Sequence, residues 1–290
     1  MNGDIPIVTF DTSAHNRIVK DRVGSEAVFA GIKAKFLFRF SGLCVEELVA
    51  TPDPAMRGAF FDSCARLQEG PNDCLWSQNE LMRLLTTAHF RNPTAFDWTT
   101  IDVRSPEFED ALRRRYFVSD QELTIAQGED LKNRKKKYKQ TFSELHPRIL
   151  EIFAKHGENP TPTLREAISR LQNADAALIW TMGKGIYDRG AEADANEATI
   201  KQFMDVCPSF RALVYAMLMS WYNFSVRDPI VGEKFSAGAN DQFMSVYLPY
   251  CHKFVTAEEH REQEKCLREI VALANLQTEI LSYDNFCKSL

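Results

Sequence analysis

Four acids in the sequence stand where chemistry is often done. Asp11 follows a short β-rich run, residues 5–10. Glu47 lies in a helical stretch that begins just after the alternating run Phe36, Phe38, Phe40. Asp241 opens an apolar stretch that reaches Tyr247. Glu258 comes two residues after Thr256, at the end of the apolar run 253–256. Carboxylates gathered at one place repel one another and need a cation to stay ionised. Hard oxygen donors of this kind suit Mg²⁺ or Mn²⁺. Such an ion activates water and offsets the charge that develops on a phosphodiester under attack. Taken singly, each acid also has a plainer reading. Asp11 and Asp241 fit helix N-caps. Glu258 fits the first turn of a helix through the macrodipole. Glu47, like its neighbour Glu46, fits a solvated helical face.

The elements that would have to gather these acids read as an alternation of strands and helices. Strand-like runs fall at residues 5–10, 36–40, 253–256 and 278–282, with helical stretches at 25–33, 43–50 and 258–274. That alternation predicts an α/β fold with a central parallel sheet flanked by helices. Ligands in such folds bind at the carboxyl ends of the strands, where segments distant in sequence converge. Between them, residues 56–205 read as a long, mostly helical insertion. Helices are predicted over 56–67, 77–89, 107–116, 122–142 and 163–172, with joints at Pro147 and at 159–162. The Gly-, Ala- and Asp-rich stretch 183–195 reads as a loop. Residues 210–224 are apolar nearly all round and predict a buried helix. The expectation is a single domain over 1–290, its sheet drawn from about 1–55 and 206–290.

Four segments in order resemble the PIN domain family of nucleases. Val8-Thr9-Phe10-Asp11-Thr12-Ser13 is similar to the family's opening strand with its acid. Ser41-Gly42-Leu43-Cys44-Val45-Glu46-Glu47-Leu48 resembles its second acidic segment, where the acid precedes a Leu, which favours Glu47 over Glu46. Gly238-Ala239-Asn240-Asp241 with Tyr247-Leu248-Pro249-Tyr250-Cys251 resembles the third segment of larger PIN-like proteins. Phe254-Val255-Thr256-Ala257-Glu258 resembles the terminal strand. The resemblance implies a PIN-like fold and metal-dependent hydrolysis of RNA. Asp11, Glu47, Asp241 and Glu258 would hold Mg²⁺ or Mn²⁺, and Ser13 would support Asp11. Two positions depart from the family pattern. Glu258 stands where Asp is usual, and His252 where an acid is frequent. They keep a rival reading in play, a weak or inactive PIN-like module that binds RNA or a protein partner. DNA also stays open as a substrate, as do an antitoxin or other protein as partner and a homodimer.

A basic run, Lys132 to Lys139, includes Lys135, Lys136 and Lys137, and Arg113 to Arg115 lie upstream. Arg114, Lys135, Lys136 and Lys137 could hold an RNA backbone, with Tyr116 or Tyr138 stacking on bases. The plainer reading is a solvated helical surface. The formal net charge of −5 excludes a protein coated in nucleic acid but not a local basic patch. No stretch approaches 18 uncharged apolar residues, so no membrane partner is expected. Seven cysteines without a CxxC pair predict reduced thiols and a cytoplasmic setting.

Overall fold

The computed structural model describes residues 5–21, 24–69, 72–114, 120–155, 176–222, 239–257 and 261–290. Five strands form one sheet: β1 (Ile7–Phe10), β2 (Leu37–Phe40), β3 (Asn72–Cys74), β4 (Lys253–Thr256) and β5 (Glu279–Ser282). Their order is β3-β2-β1-β4-β5, and every pairing is parallel. Helices cover both faces, so the inner strands are apolar on each side rather than alternating. Val8, Phe10, Phe38, Phe40, Phe254 and Val255 are all buried. On one face Phe10 meets Phe38, Tyr283 and Phe286 edge to face.

The chain steps outward from β1 to β2 to β3, then crosses back to lay β4 on the other side of β1. The order therefore reverses between β1 and β4. The connections leaving those two strands run to opposite sides, which is where parallel sheets generally bind ligands, at the carboxyl ends. Helix α1 (Thr12–Lys20) leaves β1, and α2 (Ser25–Lys35) returns to β2. Helix α3 (Gly42–Val49) leaves β2, and α4 (Pro54–Leu67) leads to β3.

Beyond β3 come α5 (Gln78–Arg91), α6 (Pro106–Arg114), α7 (Gln121–Lys155), α8 (Ala176–Ala191), α9 (Glu197–Val206) and α10 (Pro208–Tyr222). A short α11 (Ala239–Met244) runs into a 3₁₀ segment, Ser245–Tyr250, ahead of β4. Helix α12 (Arg261–Leu273) precedes β5, and α13 (Tyr283–Ser289) follows it. Among the described residues no helix is long and apolar enough to cross a membrane. None of the seven cysteines is in a disulfide, and five are buried.

Three expectations need correction. The sheet is not confined to 1–55 and 206–290, because β3 lies within the expected insertion. Its sequence, Asn-Asp-Cys, has no apolar alternation to announce it. It is held by pairing with β2 and by a bidentate ion pair between register partners, Arg39 and Asp73, with both N–O distances 2.6 Å. Residues 183–191 are helical, not loop, as part of α8. A Cβ on Gly190 would sit 2.3 Å from Thr86 Oγ1, and one on Gly183 3.0 Å from Ile200. Here glycine permits close packing of α8 on α5 and α9, and that need outweighs its poor helix propensity. Pro147 is no joint, since α7 continues through it. The expected helix at 163–172 lies outside the described residues.

Candidate functional site

Asp11 stands directly beyond the carboxyl end of β1, at the reversal of strand order. Its amide still donates to Val255 O at 3.0 Å, which extends the β1–β4 pairing to its backbone. Its carboxylate caps α1, with Oδ1 accepting from Ala14 N at 2.8 Å and from the Ser13 hydroxyl at 2.7 Å. Ser13 in turn accepts the Ala257 amide at 2.7 Å and lies 3.3 Å from Thr256 Oγ1. One serine thus ties the exit of β1 to the exit of β4. Asp11 is only 4% exposed. Burial raises its carboxyl above the usual 3.8. Hydrogen bonds from Thr256, Ala14 and Ser13 pull it back down, and the negative charge of Glu47 adds to the rise.

Glu47 reaches the same place from α3. The Thr12 hydroxyl donates to its Oε2. The helix that carries it is pinned at its N-terminus. Ser41 caps α3, accepting from Cys44 N. Gly42 lies so close to the Trp76–Ser77 backbone that a Cβ would fall 2.4 Å from Ser77 N. The Tyr247 hydroxyl accepts from Leu43 N and donates to Trp76 O, both at 3.1 Å. Glu46 points elsewhere, forming an ion pair with Arg134 of α7 at 2.8 Å. The choice of Glu47 over Glu46 therefore corresponds to two different environments. Cys44, buried beside Thr12, has its thiol pushed well above the usual range by burial and so stays protonated at neutral pH. It acts as an apolar filler next to the acids.

The structure thus brings Asp11, Ser13 and Glu47 together with Thr12 and Thr256. Sequence reading passed over the two threonines, although Thr12 was legible as the polar residue directly after Asp11. Asp241 lies in α11, and its side chain is outside what the structure describes. Glu258 is outside the described residues altogether. Among the described residues no group of three or more His, Cys, Asp or Glu side chains is placed to hold a metal ion. His252 is not at this edge. Its Nδ1 accepts from Ile7 N at 2.9 Å, at the amino end of β1. The departure at His252 therefore leaves the carboxyl edge untouched.

Of the basic residues, Lys136 and Lys137 are exposed and Lys135 is half-buried; Arg114 ends α6, and nothing is described of its side chain. Tyr138 is half-buried and engaged within the protein. Its hydroxyl bonds Ser220 at 3.0 Å, and its ring packs edge-on to Phe243. Tyr116 lies outside the described residues. A cavity of about 760 Å³ opens at the opposite end of the sheet, between Ile7, Trp98, Tyr250 and His252. Its arginines, Arg39, Arg104 and Arg211, are all bonded to protein groups. It does not reach Asp11 or Glu47.

No family model matches the chain, and neither the curated proteins nor the solved structures yield a match.

Proposed function

We propose that the protein is a divalent-metal-dependent phosphodiesterase of PIN-like type acting on RNA. The observation that carries this reading is the convergence of Asp11 and Glu47, from two different strand exits, at the reversal of strand order. Two carboxylates at one partly dry site favour a cation, and an all-oxygen donor set suits Mg²⁺ or Mn²⁺. Asp241 and Glu258 would complete the set. When bound, the ion supplies Lewis acidity for activating water and for offsetting charge on the phosphate. The chain's own residues do the positioning. Ser13 and Ala14 fix one oxygen of Asp11, which leaves its second oxygen for Thr256 or a ligand. Thr12 orients Glu47. The glycine contact and the Tyr247 bridge set where α3, and with it Glu47, stands at the sheet edge.

The test pairs binding with turnover. Mn²⁺ should raise the melting temperature of the wild type, and purified protein should cleave labelled RNA only with the ion present. Asp11→Asn keeps the helix cap and should abolish both effects. Cleavage that persists in EDTA, or in the Asp11→Asn variant, would overturn the reading.

A second reading is favoured by a specific feature. Glu258 carries one more methylene than the Asp expected there, so its carboxylate stands further from its backbone than the family pattern calls for. An RNA- or protein-binding module that has lost turnover would bind its partner equally in EDTA and in Mn²⁺.

A further inference from the structure

We propose that a lysine strip on α7 seats the phosphodiester backbone of a single-stranded polynucleotide beside the Asp11–Glu47 edge of the sheet. The inference deepens the phosphodiesterase reading and rests on it for the role of that edge.

Residues 132–139 hold six cations and no acid. The helical period sorts them into two faces. Leu131 is buried, Arg134 turns to Glu46, and Tyr138 turns to Ser220 and Phe243. Lys132, Lys136 and Lys139 are exposed, with half-buried Lys135 alongside. These four stand at i, i+3, i+4 and i+7 and so share one side of the helix. At 1.5 Å per residue the strip is about 10 Å long. Lys137 falls on the opposite flank, one heptad from Asp130.

Among the described residues, none of the four strip lysines forms an ion pair. Elsewhere Lys33, Lys184 and Lys253 pair with Glu69, Asp188 and Glu279. Like charges one turn apart destabilise a helix, so the strip invites an external anion. Its position also matters. Arg134 fastens α7 to α3, the helix of Glu47. Tyr138 fastens it to α11, the helix of Asp241. The strip therefore lies within about a turn of the residues that join α7 to two helices carrying candidate acids.

The chemistry of the strip selects the partner. The exposed residues from 132 to 140 are Lys, Asn and Gln, with no apolar side chain among them. A protein interface is centred on buried aromatic or aliphatic anchors. A membrane-surface helix needs an apolar face. Backbone phosphates need neither, because release of condensed counterions drives their binding.

The experiment measures binding of 5′-labelled oligouridylate and oligothymidylate to the full chain by fluorescence anisotropy, in EDTA, across a salt series. Wild type should bind in a salt-dependent manner. A Lys132→Gln, Lys136→Gln, Lys139→Gln variant should bind at least about tenfold more weakly at low salt. Its log–log salt slope should be shallower by about 2, from three lost contacts at about 0.7 each. Arg at the same three positions should restore the slope. A control with Gln at the exposed Lys20, Lys201 and Lys288 should behave as wild type. An unchanged slope in the Gln variant would overturn the proposal. So would an absence of oligonucleotide binding by wild type, or equal binding of polyglutamate. The two oligonucleotides separate RNA from DNA as the source of the phosphates. Asp11→Asn should bind normally, so loss of cleavage with binding retained counts against the catalytic reading alone. Cleavage by the Gln variant with unchanged KM counts against the strip alone.

Discussion

Ser13 and Ala257 stand 244 positions apart in the chain, yet the Ala257 amide donates to the Ser13 hydroxyl at 2.7 Å. The same hydroxyl donates to Asp11. Ser13→Ala removes both bonds and leaves the Ala257 amide without its acceptor. The expected cost is about 1–2 kcal/mol, read as a lower denaturant midpoint with unchanged slope. Asp11 also loses one of the bonds that favour its ionised form. Its carboxyl should rise further, and the pH needed for half-maximal Mn²⁺ binding should rise with it. A variant as stable as wild type would show that the link carries no energy.

Tyr247 makes a comparable link one layer away. Its hydroxyl satisfies Leu43 N at the start of α3 and Trp76 O beyond β3. Leu43 N is buried and Trp76 O partly so, and Tyr247→Phe leaves both backbone groups without their side-chain partner. A loss of about 2 kcal/mol is expected. Because this bridge sets the N-terminus of the Glu47 helix, the variant should also lose metal-induced stabilisation out of proportion to its stability. Gly42→Ala, which drives a methyl group into the Trp76–Ser77 backbone, should be more damaging still. Thermal melts with and without Mn²⁺ check both.

His15 gives the protein a pH dependence. It is 1% exposed and packed among Phe10, Phe38 and Phe40. Among the described residues its Nε2 has no hydrogen-bond partner. Burial lowers its pKa from 6.5 to about 4, so the folded protein holds the ring neutral. The unfolded chain takes up the proton first as pH falls. Stability from this group is therefore full above about pH 6.5 and is lost progressively toward pH 4. The loss amounts to about 3 kcal/mol for a shift from 6.5 to about 4. His15→Leu should flatten the stability profile across that window. Urea melts between pH 4 and pH 7.5 measure the difference.

Much of this arrangement was legible in the sequence because its signals are local. Strands β1, β2 and β4 are short apolar runs closed by polar residues. Asp11 and Ser13 directly follow such a run, and Glu47 lies in the helix that follows another. What was not legible depends on partners distant in the chain. Strand β3 is three polar or small residues, held in the sheet by Arg39 thirty-odd positions away. Helix α8 contains glycines that read as loop until Thr86, Ile200 and Phe210 are seen against them. The division of labour between Glu46 and Glu47 also depends on α7, whose Arg134 lies 88 positions downstream.

That division yields the most discriminating comparison, since the two glutamates are neighbours of identical chemistry. The Glu46 and Arg134 side chains are 15% and 18% exposed, and each is the other's shielded partner. Among the described residues, Glu46→Gln leaves Arg134 with the well-exposed Asp130 as its remaining counter-charge. Removing one member of a largely buried pair costs more than the pair contributes, because the remaining charge stays desolvated. Glu46→Gln should therefore lower stability by about 1–3 kcal/mol and loosen α7, which faster hydrogen exchange along residues 128–138 would reveal. Its Mn²⁺-induced rise in melting temperature should survive. Glu47→Gln should do the reverse. It keeps an acceptor for the Thr12 hydroxyl and removes a negative charge beside buried Asp11, so the metal-free protein should be as stable as wild type or more so. Its response to Mn²⁺ should be largely gone. If both variants lose the metal response equally, Glu47 has no privileged place at the site. If neither does, the ion is held without α3, and the carboxylate cluster must be built from other acids.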